Sequence, residues 1–408
     1  MSELQNWMNE VSGTEYIWYI KRLSANDTLA NDTHQAGPYI PREVLFRIFP
    51  SLNRPEVRNP DLWVDFHIAS HAERRNIRIV WYNNKLQGGT RNEARLTNFG
   101  GKASALLDPE NTGALSIFAF LLEGQGKVAS CQIWVCRNST EEDFVENNIG
   151  LVEPGTWKTW SSNDAVVPFG GFGEERMLRA SCRLLPEEIP AAWVSDFPTG
   201  VEIIRKAVEL SPVSGLTPDF RLMKRRDCEY EIFRSVEELI ELPKIKKGFD
   251  NIEGFISRAQ TILQRRKARS GRSLELHMRE IFIEEGLKEG RDFSHQPESE
   301  FGKSPDFLFP SETRYKDGSF EATKLRMLAV KTTCKDRWRQ ILNEADRISE
   351  KHLLTLQEGL SENQFREMKQ AGVQLVVPQP LIDAYSKSIR PYLVTVESFI
   401  SSIRQMNL

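Results

Sequence analysis

The sequence lacks a hydrophobic run that could cross a bilayer, and it lacks a secretory leader. No apolar stretch approaches the roughly 20 residues that a membrane-spanning helix needs. The first residues, MSELQNWMNEVSGTEY, contain no basic segment followed by an apolar one, which is the pattern of a signal peptide. These absences predict a cytoplasmic protein without a membrane partner.

Cysteine and histidine are scarce and scattered. None of the five cysteines lies in a CxxC pair, which predicts a reducing compartment and argues against a zinc site or a disulfide framework. With six histidines and no clustered nitrogen or sulfur ligands, any metal is expected to be a hard cation bound by oxygen. The cysteines are Cys131, Cys136, Cys182, Cys228 and Cys334.

The chain also lacks the net positive charge of many nucleic-acid-binding proteins, since its formal net charge is −3. Net charge is a weak guide, however, because phosphate binding requires only a local basic surface. One basic stretch, QRRKARSGR at 264–272, stands out. By itself it is interpreted as a solvated helix end.

The length of 408 residues predicts two or three domains. In residues 1–160, short apolar or alternating runs such as LSIFAFLLE and CQIWVCR are separated by turn-rich pieces, which indicates a β barrel or sandwich. Residues 161–190 are rich in Ser, Gly and Pro and are predicted to be a linker. Residues 191–408 begin with helical patterns, including SLELHMREIFIEEGL with Ser273 as a candidate N-cap. Strands then alternate with helices, which predicts an α/β domain with a mixed sheet covered on both faces.

Asp306 and Lys331 stand at the ends of two predicted strands, DFLF and RMLAVKT. Many metal-dependent nucleases carry a second acid two residues before such a lysine, but this chain has Ala329 there. A helix is predicted to begin near Asp336, and Glu344 lies about two turns, or ~12 Å, into it. Glu344 is therefore expected to return toward the strand end, beside the space that the small Ala329 leaves.

These residue types suit the hydrolysis of a phosphodiester. Mg²⁺ held by the carboxylates of Asp306 and Glu344 would neutralise charge and activate water. Lys331 would orient or deprotonate that water and stabilise charge on the phosphate. Glu275, on the SLELH helix, would complete the second shell of the metal.

Several longer blocks resemble the EcoRII family of restriction endonucleases, which recognise CC and GG flanking a central base or base pair. The resemblance extends over nearly the whole chain and implies type II cleavage of double-stranded DNA at a CCWGG-like sequence in a bacterial cytoplasm. It also implies a restriction-endonuclease-like α/β core preceded by a β pseudobarrel that binds DNA. The blocks are LAVKTTCKDRWRQILNEAD, KSPDFLFPS, GRSLELH, YIKRLSANDT, HQAGPYIP, TRNEAR, DPENTGAL and IWVC.

In this family the metal site uses an Asp, a Lys and a Glu displaced onto the following helix. The resemblance assigns these roles to Asp306, Lys331 and Glu344, with Glu275 as an accessory acid. It also implies a homodimer of catalytic domains, whose two-fold symmetry would match a near-palindromic site.

The triplet KDR, at the start of the predicted helix, is implied to read the bases. Lys335 and Arg337 can donate to guanine O6 and N7, and Asp336 can accept from cytosine N4. Asp336 would also suit the positive end of the helix dipole, and the two roles are compatible.

Arg226 and Tyr230 are four residues apart and share a helix face. The resemblance implies that they hold a central base flipped out of the duplex. The alternative is an amphipathic helix with Tyr230 in the core and Arg226 paired with a carboxylate such as Glu229.

The N-terminal domain is implied to bind a second copy of the site as an effector and to block the catalytic cleft until it does so. Motif matches assign its DNA contacts to His34, Tyr39, Arg91, Glu93 and Arg95, whose types suit phosphates and major-groove base edges. The alternative is a surface loop in which the arginines pair with acids.

The chain departs from the family pattern at Gly89 and Ala94, where lysine is usual. Losing two cations is expected to weaken phosphate binding and to flatten its salt dependence.

Two rival interpretations remain. A structure-selective or repair nuclease would have little use for the KDR triplet and the arginine–tyrosine pair. A DNA-binding regulator with a degenerate nuclease domain would have no need to retain Asp306, Lys331 and Glu344 together.

Overall fold

The structure, a computed structural model, describes residues 2–31, 37–123, 127–162, 182–211 and 215–406. Its strands form an eight-stranded and a five-stranded sheet. The first lies in a mainly β N-terminal region and the second in an α/β C-terminal region, so the predicted fold class is confirmed. Residues 163–181 of the predicted linker lie outside the described residues.

The N-terminal sheet has the strand order β2-β5-β4-β3-β7-β6-β1-β8. All neighbouring strands are antiparallel except β3 and β7, which are parallel. Because β2 and β8 are separate edges, the barrel is open. The strands are β1 (Tyr16–Arg22), β2 (Tyr39–Ile40), β3 (Asp61–Ile68), β4 (Glu73–Tyr82), β5 (Glu93–Thr97), β6 (Leu115–Glu123), β7 (Lys127–Val135) and β8 (Trp157–Ser161).

Apolar side chains fill both faces of this sheet. Strand β1 is buried along its whole length, with Tyr19 in the inner core and Trp18 on the opposite face. The opposite face is covered by Trp7 of one helix and Val145 of another. The helices of this region are α1 (Glu3–Glu10), α2 (Arg42–Ile48) and α3 (Ser139–Ile149).

The C-terminal sheet has the order β13-β12-β11-β10-β9. Strands β11, β12 and β13 are parallel, whereas β10 is antiparallel to both β9 and β11, so the sheet is mixed as predicted. Along β11, Leu328 and Val330 join one apolar cluster and Met327 and Ala329 another, so both faces are covered. The strands are β9 (Ser294–His295), β10 (Phe307–Phe309), β11 (Arg326–Lys331), β12 (Lys351–Thr355) and β13 (Val373–Val376).

Two long helices pack beside this sheet. The second, α7 (Ile252–Glu284), begins after Asn251, whose side chain accepts a hydrogen bond from the Gly254 amide (2.7 Å). It continues through the basic stretch at 264–272. The prediction that Ser273 caps a new helix is therefore wrong, because no residue from 264 to 273 interrupts the helix. The helices are α4 (Ala191–Ser195), α5 (Gly200–Leu210), α6 (Pro218–Lys247), α7 (Ile252–Glu284), α8 (Glu312–Lys316), α9 (Glu362–Gln370) and α10 (Val396–Met406).

Helices α4 to α6 enclose a further small core that contains a disulfide between Cys182 and Cys228. This bond contradicts the expectation, drawn from scattered cysteines without a CxxC pair, that the chain has no disulfide framework. Separation along the sequence does not determine distance in the fold. The packing of Leu184, Trp193 and Phe233 brings the two cysteines together. The structure describes no helix long and apolar enough to traverse a lipid bilayer.

Because His352 in β12 is buried, we expect the protein to lose stability in acid. Its buried ring packs against Phe399 (5.1 Å), and burial followed by the charge of Arg326 lowers the pKa of His352 to about 4. The unfolded chain takes up this proton near pH 6.5, so the stabilisation is complete above that pH and is lost as the pH falls toward about 4. The loss should reach about 3 kcal/mol.

Urea unfolding of the native protein and of His352→Leu at pH 8, 6 and 4.5 measures this effect. The variant should lose less stability on acidification. Parallel curves for the two proteins would contradict the assignment.

Candidate nuclease site

Asp306 and Lys331 meet where two antiparallel strands adjoin. Asp306 immediately precedes β10 and Lys331 ends β11, and Phe307 lies opposite Leu328 in the ladder. The Val330 amide donates to Asp306 Oδ2 (2.7 Å), and Lys331 Nζ lies 3.5 Å from the same oxygen. The structure therefore brings this predicted pair together.

Glu344 does not lie on an α-helix, which corrects the prediction for this segment. The residues after β11 form a 3₁₀ helix, Arg337–Asn343, and Glu344 follows it in an extended conformation. Trp338 and Ile341, three residues apart, are both buried, as the three-residue turn of a 3₁₀ helix requires. Ala345 then has a positive φ of 50°.

The buried amine of Lys351 holds this turn. Its Nζ donates to the carbonyl oxygens of Glu344 (2.5 Å) and Ala345 (2.6 Å). A left-handed alanine is strained, so these two bonds help to fix the backbone from which the Glu344 carboxylate projects.

The two carboxyl groups are held in a partly buried setting. Burial raises the pKa of Asp306, with Lys331 opposing and Glu275 adding to the shift. Burial also raises the pKa of Glu344 to about 7, with Lys331 opposing and Asp306 adding. Asp306 thus acts electrostatically on Glu344.

A hard divalent cation fits this donor set. Mg²⁺ is often bound by one or two carboxylates together with substrate phosphates rather than by a complete protein cage. Within the described ranges there is no group of three or more His, Cys, Asp or Glu side chains arranged to hold a metal. Glu275 lies on α7 and is hydrogen-bonded to His295 (2.5 Å).

All three side chains of the KDR triplet contact the N-terminal region. These contacts place the triplet against the beginning of α3 rather than in open solvent. They are Lys335 Nζ to the Cys136 carbonyl (3.1 Å), the Ser139 amide to Asp336 Oδ2 (3.0 Å), and Arg337 to Asp143 (3.2 Å).

Arg226 and Tyr230 line a small cavity on α6 together with Glu153 of the N-terminal region. Arg226 pairs with Glu153 (2.8 Å), whereas the alternative partner Glu229 bonds to Arg269 (3.1 Å). The alternative interpretation, in which Arg226 pairs with a carboxylate, thus holds for the pairing, but the acid comes from the other half of the chain.

Glu153 has two more partners on α7. Its Oε1 accepts from Arg269 (3.0 Å) and from the Ser270 hydroxyl (2.9 Å). Burial opposes ionisation, but Arg226 and Arg269 outweigh it and lower the pKa of Glu153. The basic stretch predicted to be a solvated helix end therefore binds an acid of the N-terminal region.

A cavity of about 160 Å³ beside this contact is lined by residues of both halves of the chain. Asp306 and Lys331 come from the C-terminal region, and Glu146, Val152 and Glu153 come from the N-terminal region. The N-terminal region therefore lies against Asp306 and Lys331.

Buried Arg22 organises the covering segment. It bonds to Glu142 and Glu146 on α3 (2.8 Å each) and to the Val152 carbonyl (2.8 Å). These bonds fasten α3 and the following loop to strand β1.

The predicted effector contacts differ in exposure. Tyr39 and Arg91 are exposed, whereas Arg95 is buried and donates to the Gly37 carbonyl (3.0 Å). Arg95 also pairs with Glu93 (3.3 Å), so the arginine–acid pairing of the alternative occurs, but on strand β5 rather than in a surface loop. His34 lies outside the described residues.

Ala94 corrects the argument about lost cations. It is fully buried in the core of the N-terminal sheet, so in this fold position 94 cannot contact a phosphate. Gly89 is exposed, so weaker phosphate binding stays a prediction for that position alone.

Sequence reasoning missed Asp143, Glu153, His295 and Lys351. The acidic run EEDFVE at 141–146 was a usable signal for Asp143, since an acidic run could pair with a basic group of the other domain, here Arg337. The partners of Glu153 and His295 are distant in sequence, whereas those of Lys351 are nearby backbone carbonyls, and no sequence pattern marks either kind of contact.

A mixed sheet with an acid and a lysine at adjoining strand ends defines a restriction-endonuclease-like nuclease core. The family model described as "EcoRII C terminal" matches residues 233–400, and that described as "Restriction endonuclease EcoRII, N-terminal" matches residues 12–164. The type II restriction enzyme EcoRII of Escherichia coli is 44% identical over 405 residues, covering 99% of this chain and 98% of that protein.

Two solved structures are more distantly similar. Metal-depleted Ecl18kI in complex with uncleaved, modified DNA has a TM-score of 0.42 at 18% identity and covers 55% of this chain and 85% of that one. The B3 domain of the UbaLAI restriction endonuclease with cognate DNA has a TM-score of 0.26 at 18% identity, covering 42% and 96%.

The chain belongs to the EcoRII family of type II restriction endonucleases. It is a site-specific deoxyribonuclease whose partner is DNA. The predicted family and enzyme class are confirmed, and the rival of a binding-only regulator is not supported.

Proposed function

We propose that this enzyme makes a Mg²⁺-dependent double-strand break at a CC…GG sequence of the CCWGG type. The N-terminal region binds a second copy of the site as an effector and, without it, inhibits a catalytic homodimer. The observation that carries the inhibition is the engagement of Lys335, Asp336 and Arg337 by the N-terminal region. Side chains bonded in this way cannot contact base edges.

Asp306 and Glu344 hold the metal in this proposal. Their carboxylate oxygens are suitable ligands for a hard cation. Their raised pKa values indicate that the nearby protein groups supply too little positive charge to stabilise both carboxylates, and a bound cation would supply it. Bound Mg²⁺ supplies charge neutralisation at the phosphate and an activated water. Lys331 orients the water and stabilises phosphate charge, and Glu275 serves as the accessory acid.

The base edges are read by Lys335, Asp336 and Arg337 in this proposal. The flipped central base is held by Arg226 and Tyr230. The cavity beside these two side chains supports the second role. Since Glu153 lies in that cavity, base flipping requires the N-terminal region to withdraw.

Effector binding is proposed for His34, Tyr39, Arg91, Glu93 and Arg95. The exposure of Tyr39 and Arg91 supports direct contact, whereas buried Arg95 shapes the loop through its bond to Gly37.

The proposed domain limits are 1–160 for the effector domain, 161–190 for the linker and 191–408 for the catalytic domain. The homodimer rests on the symmetry of a near-palindromic site. The proposed location is the bacterial cytoplasm.

Glu153→Gln tests the inhibition. Removing this charge weakens the contacts with Arg226 and Arg269, so the catalytic domain should be released without effector DNA. Couplings between sites are worth about 5- to 150-fold, and cleavage of a one-site plasmid should accelerate within this range. The rate is measured with and without an added effector duplex.

Glu73→Gln is the matched control, because Glu73 is similarly buried but pairs with Arg75 inside the N-terminal region. It should leave the one-site rate unchanged. Deleting residues 1–180 is the coarser test, and a truncated enzyme that is no faster and still needs a second site would refute the inhibition.

A further inference from the structure

His295 contacts the accessory acid, and the proposed function gives it no role. Its Nε2 lies 2.5 Å from Glu275 Oε1, and the two side chains are only 13% and 7% exposed. A carboxylate oxygen accepts, so Nε2 donates in the tautomer that forms this bond. The bond fixes the direction of the carboxylate.

The strand that carries Asp306 fixes the position of His295. His295 lies directly opposite Phe307 in the β9–β10 ladder, and the two rings stack at 5.2 Å. The next amide, that of Gln296, donates to the Asp306 carbonyl (2.9 Å). His295 therefore joins the Asp306 strand to helix α7, on which Glu275 lies.

His295 and Gln296 are adjacent in sequence, so one short segment holds both the Glu275 carboxylate and the backbone of Asp306. Glu275 also adds to the rise in the pKa of Asp306, in agreement with this arrangement. We propose that His295 is a positioning residue of the nuclease, which holds Glu275 beside Asp306 so that it can serve the catalytic cation. This inference rests on the metal site proposed above.

Partners that orient groups around a metal typically contribute about 10- to 100-fold to metal affinity or activity. His295→Leu should therefore lower the single-turnover cleavage rate by about 10- to 100-fold at a fixed, subsaturating Mg²⁺ concentration. His295→Gln retains an N–H donor and should recover most of the rate. His295→Asn is too short to reach Oε1 and should behave like leucine, which provides a second test if the leucine variant unfolds.

A second readout does not depend on cleavage. Mn²⁺ binding is followed by electron paramagnetic resonance on the complex with an uncleavable phosphorothioate duplex. The affinity should fall in His295→Leu and fall less in His295→Gln. Duplex affinity in Ca²⁺ and the thermal unfolding midpoint should stay near native, which a purely structural role would not predict.

His352→Leu at pH 8 is the matched control, since it makes the same change at a buried histidine of the same sheet and should leave both readouts unchanged. Glu275→Gln and the double variant with His295→Leu complete a double-mutant cycle. The losses of cleavage rate in the two single variants should not add in the double variant. Additive losses, or native metal affinity and rate in His295→Leu and His295→Asn, would overturn the inference. Asp306→Ala separates the cases, because undiminished cutting by that variant would instead refute the metal site itself.

Discussion

Lys331→Ala should lower the rate of DNA cleavage by about 10²- to 10⁴-fold, the range expected when a proton-transfer or charge-stabilising group is lost. Lys331 Nζ lies 3.5 Å from Asp306 Oδ2, and Lys331 opposes the rise in pKa of both Asp306 and Glu344. The variant therefore loses a donor to the phosphate and a charge that keeps the metal ligands ionised. Specific duplex binding, measured in Ca²⁺, should remain intact.

Lys324→Ala is the matched control. Lys324 precedes the same strand, is exposed and pairs with Glu321 (3.7 Å), so its removal should leave the cleavage rate unchanged. Rates are measured on supercoiled plasmid with Mg²⁺ and with EDTA. Native cutting by Lys331→Ala would remove this lysine from the mechanism.

The strands of the site could be predicted because their signal is local. Alternation along RMLAVKT places Ala329 and Lys331 on the face opposite Leu328, and the two apolar clusters follow that alternation. The pairing of Asp306 with Lys331 follows from the short antiparallel ladder between β10 and β11.

The path to Glu344 could not be predicted, because the local sequence signals are ambiguous. Burial of Trp338 and Ile341 suits a 3₁₀ helix as well as an α-helix. The choice depends on the left-handed turn at Ala345 and on the amine of Lys351, which a sequence pattern does not record.

The cover over the site was also beyond prediction from the residues. Glu142, Glu146 and Glu153 resemble ordinary acids of a solvated helix and loop. Their roles arise only when Arg22 folds the segment onto β1 and presents Glu153 to α6 and α7. The idea of inhibition came from the family resemblance, and the structure supplies its candidate contacts.

Asp336→Ala should relax the choice of DNA sequence. Losing a base contact costs about 1–3 kcal/mol, and both half-sites of a dimer together about 2–6 kcal/mol, or about 30- to 20,000-fold in rate at the cognate site. The expected result is a large loss of cleavage rate on CCWGG duplexes and a much smaller loss on duplexes altered at the cytosine that Asp336 is proposed to read. Single-turnover rates on both duplexes measure the ratio.

Asp336 also accepts from the Ser139 amide, so the same change weakens the inhibitory contact and should reduce the need for effector DNA. A lower cleavage rate on the cognate duplex together with a reduced need for effector DNA would indicate that Asp336 reads a base. Loss of a helix cap alone would instead lower the cleavage rate on all duplexes alike. Asp383→Ala, at an exposed acid of the same domain that pairs with Arg390, is the control. If Asp336→Ala lost activity equally on cognate and altered duplexes, Asp336 would serve only the fold or the inhibitory contact.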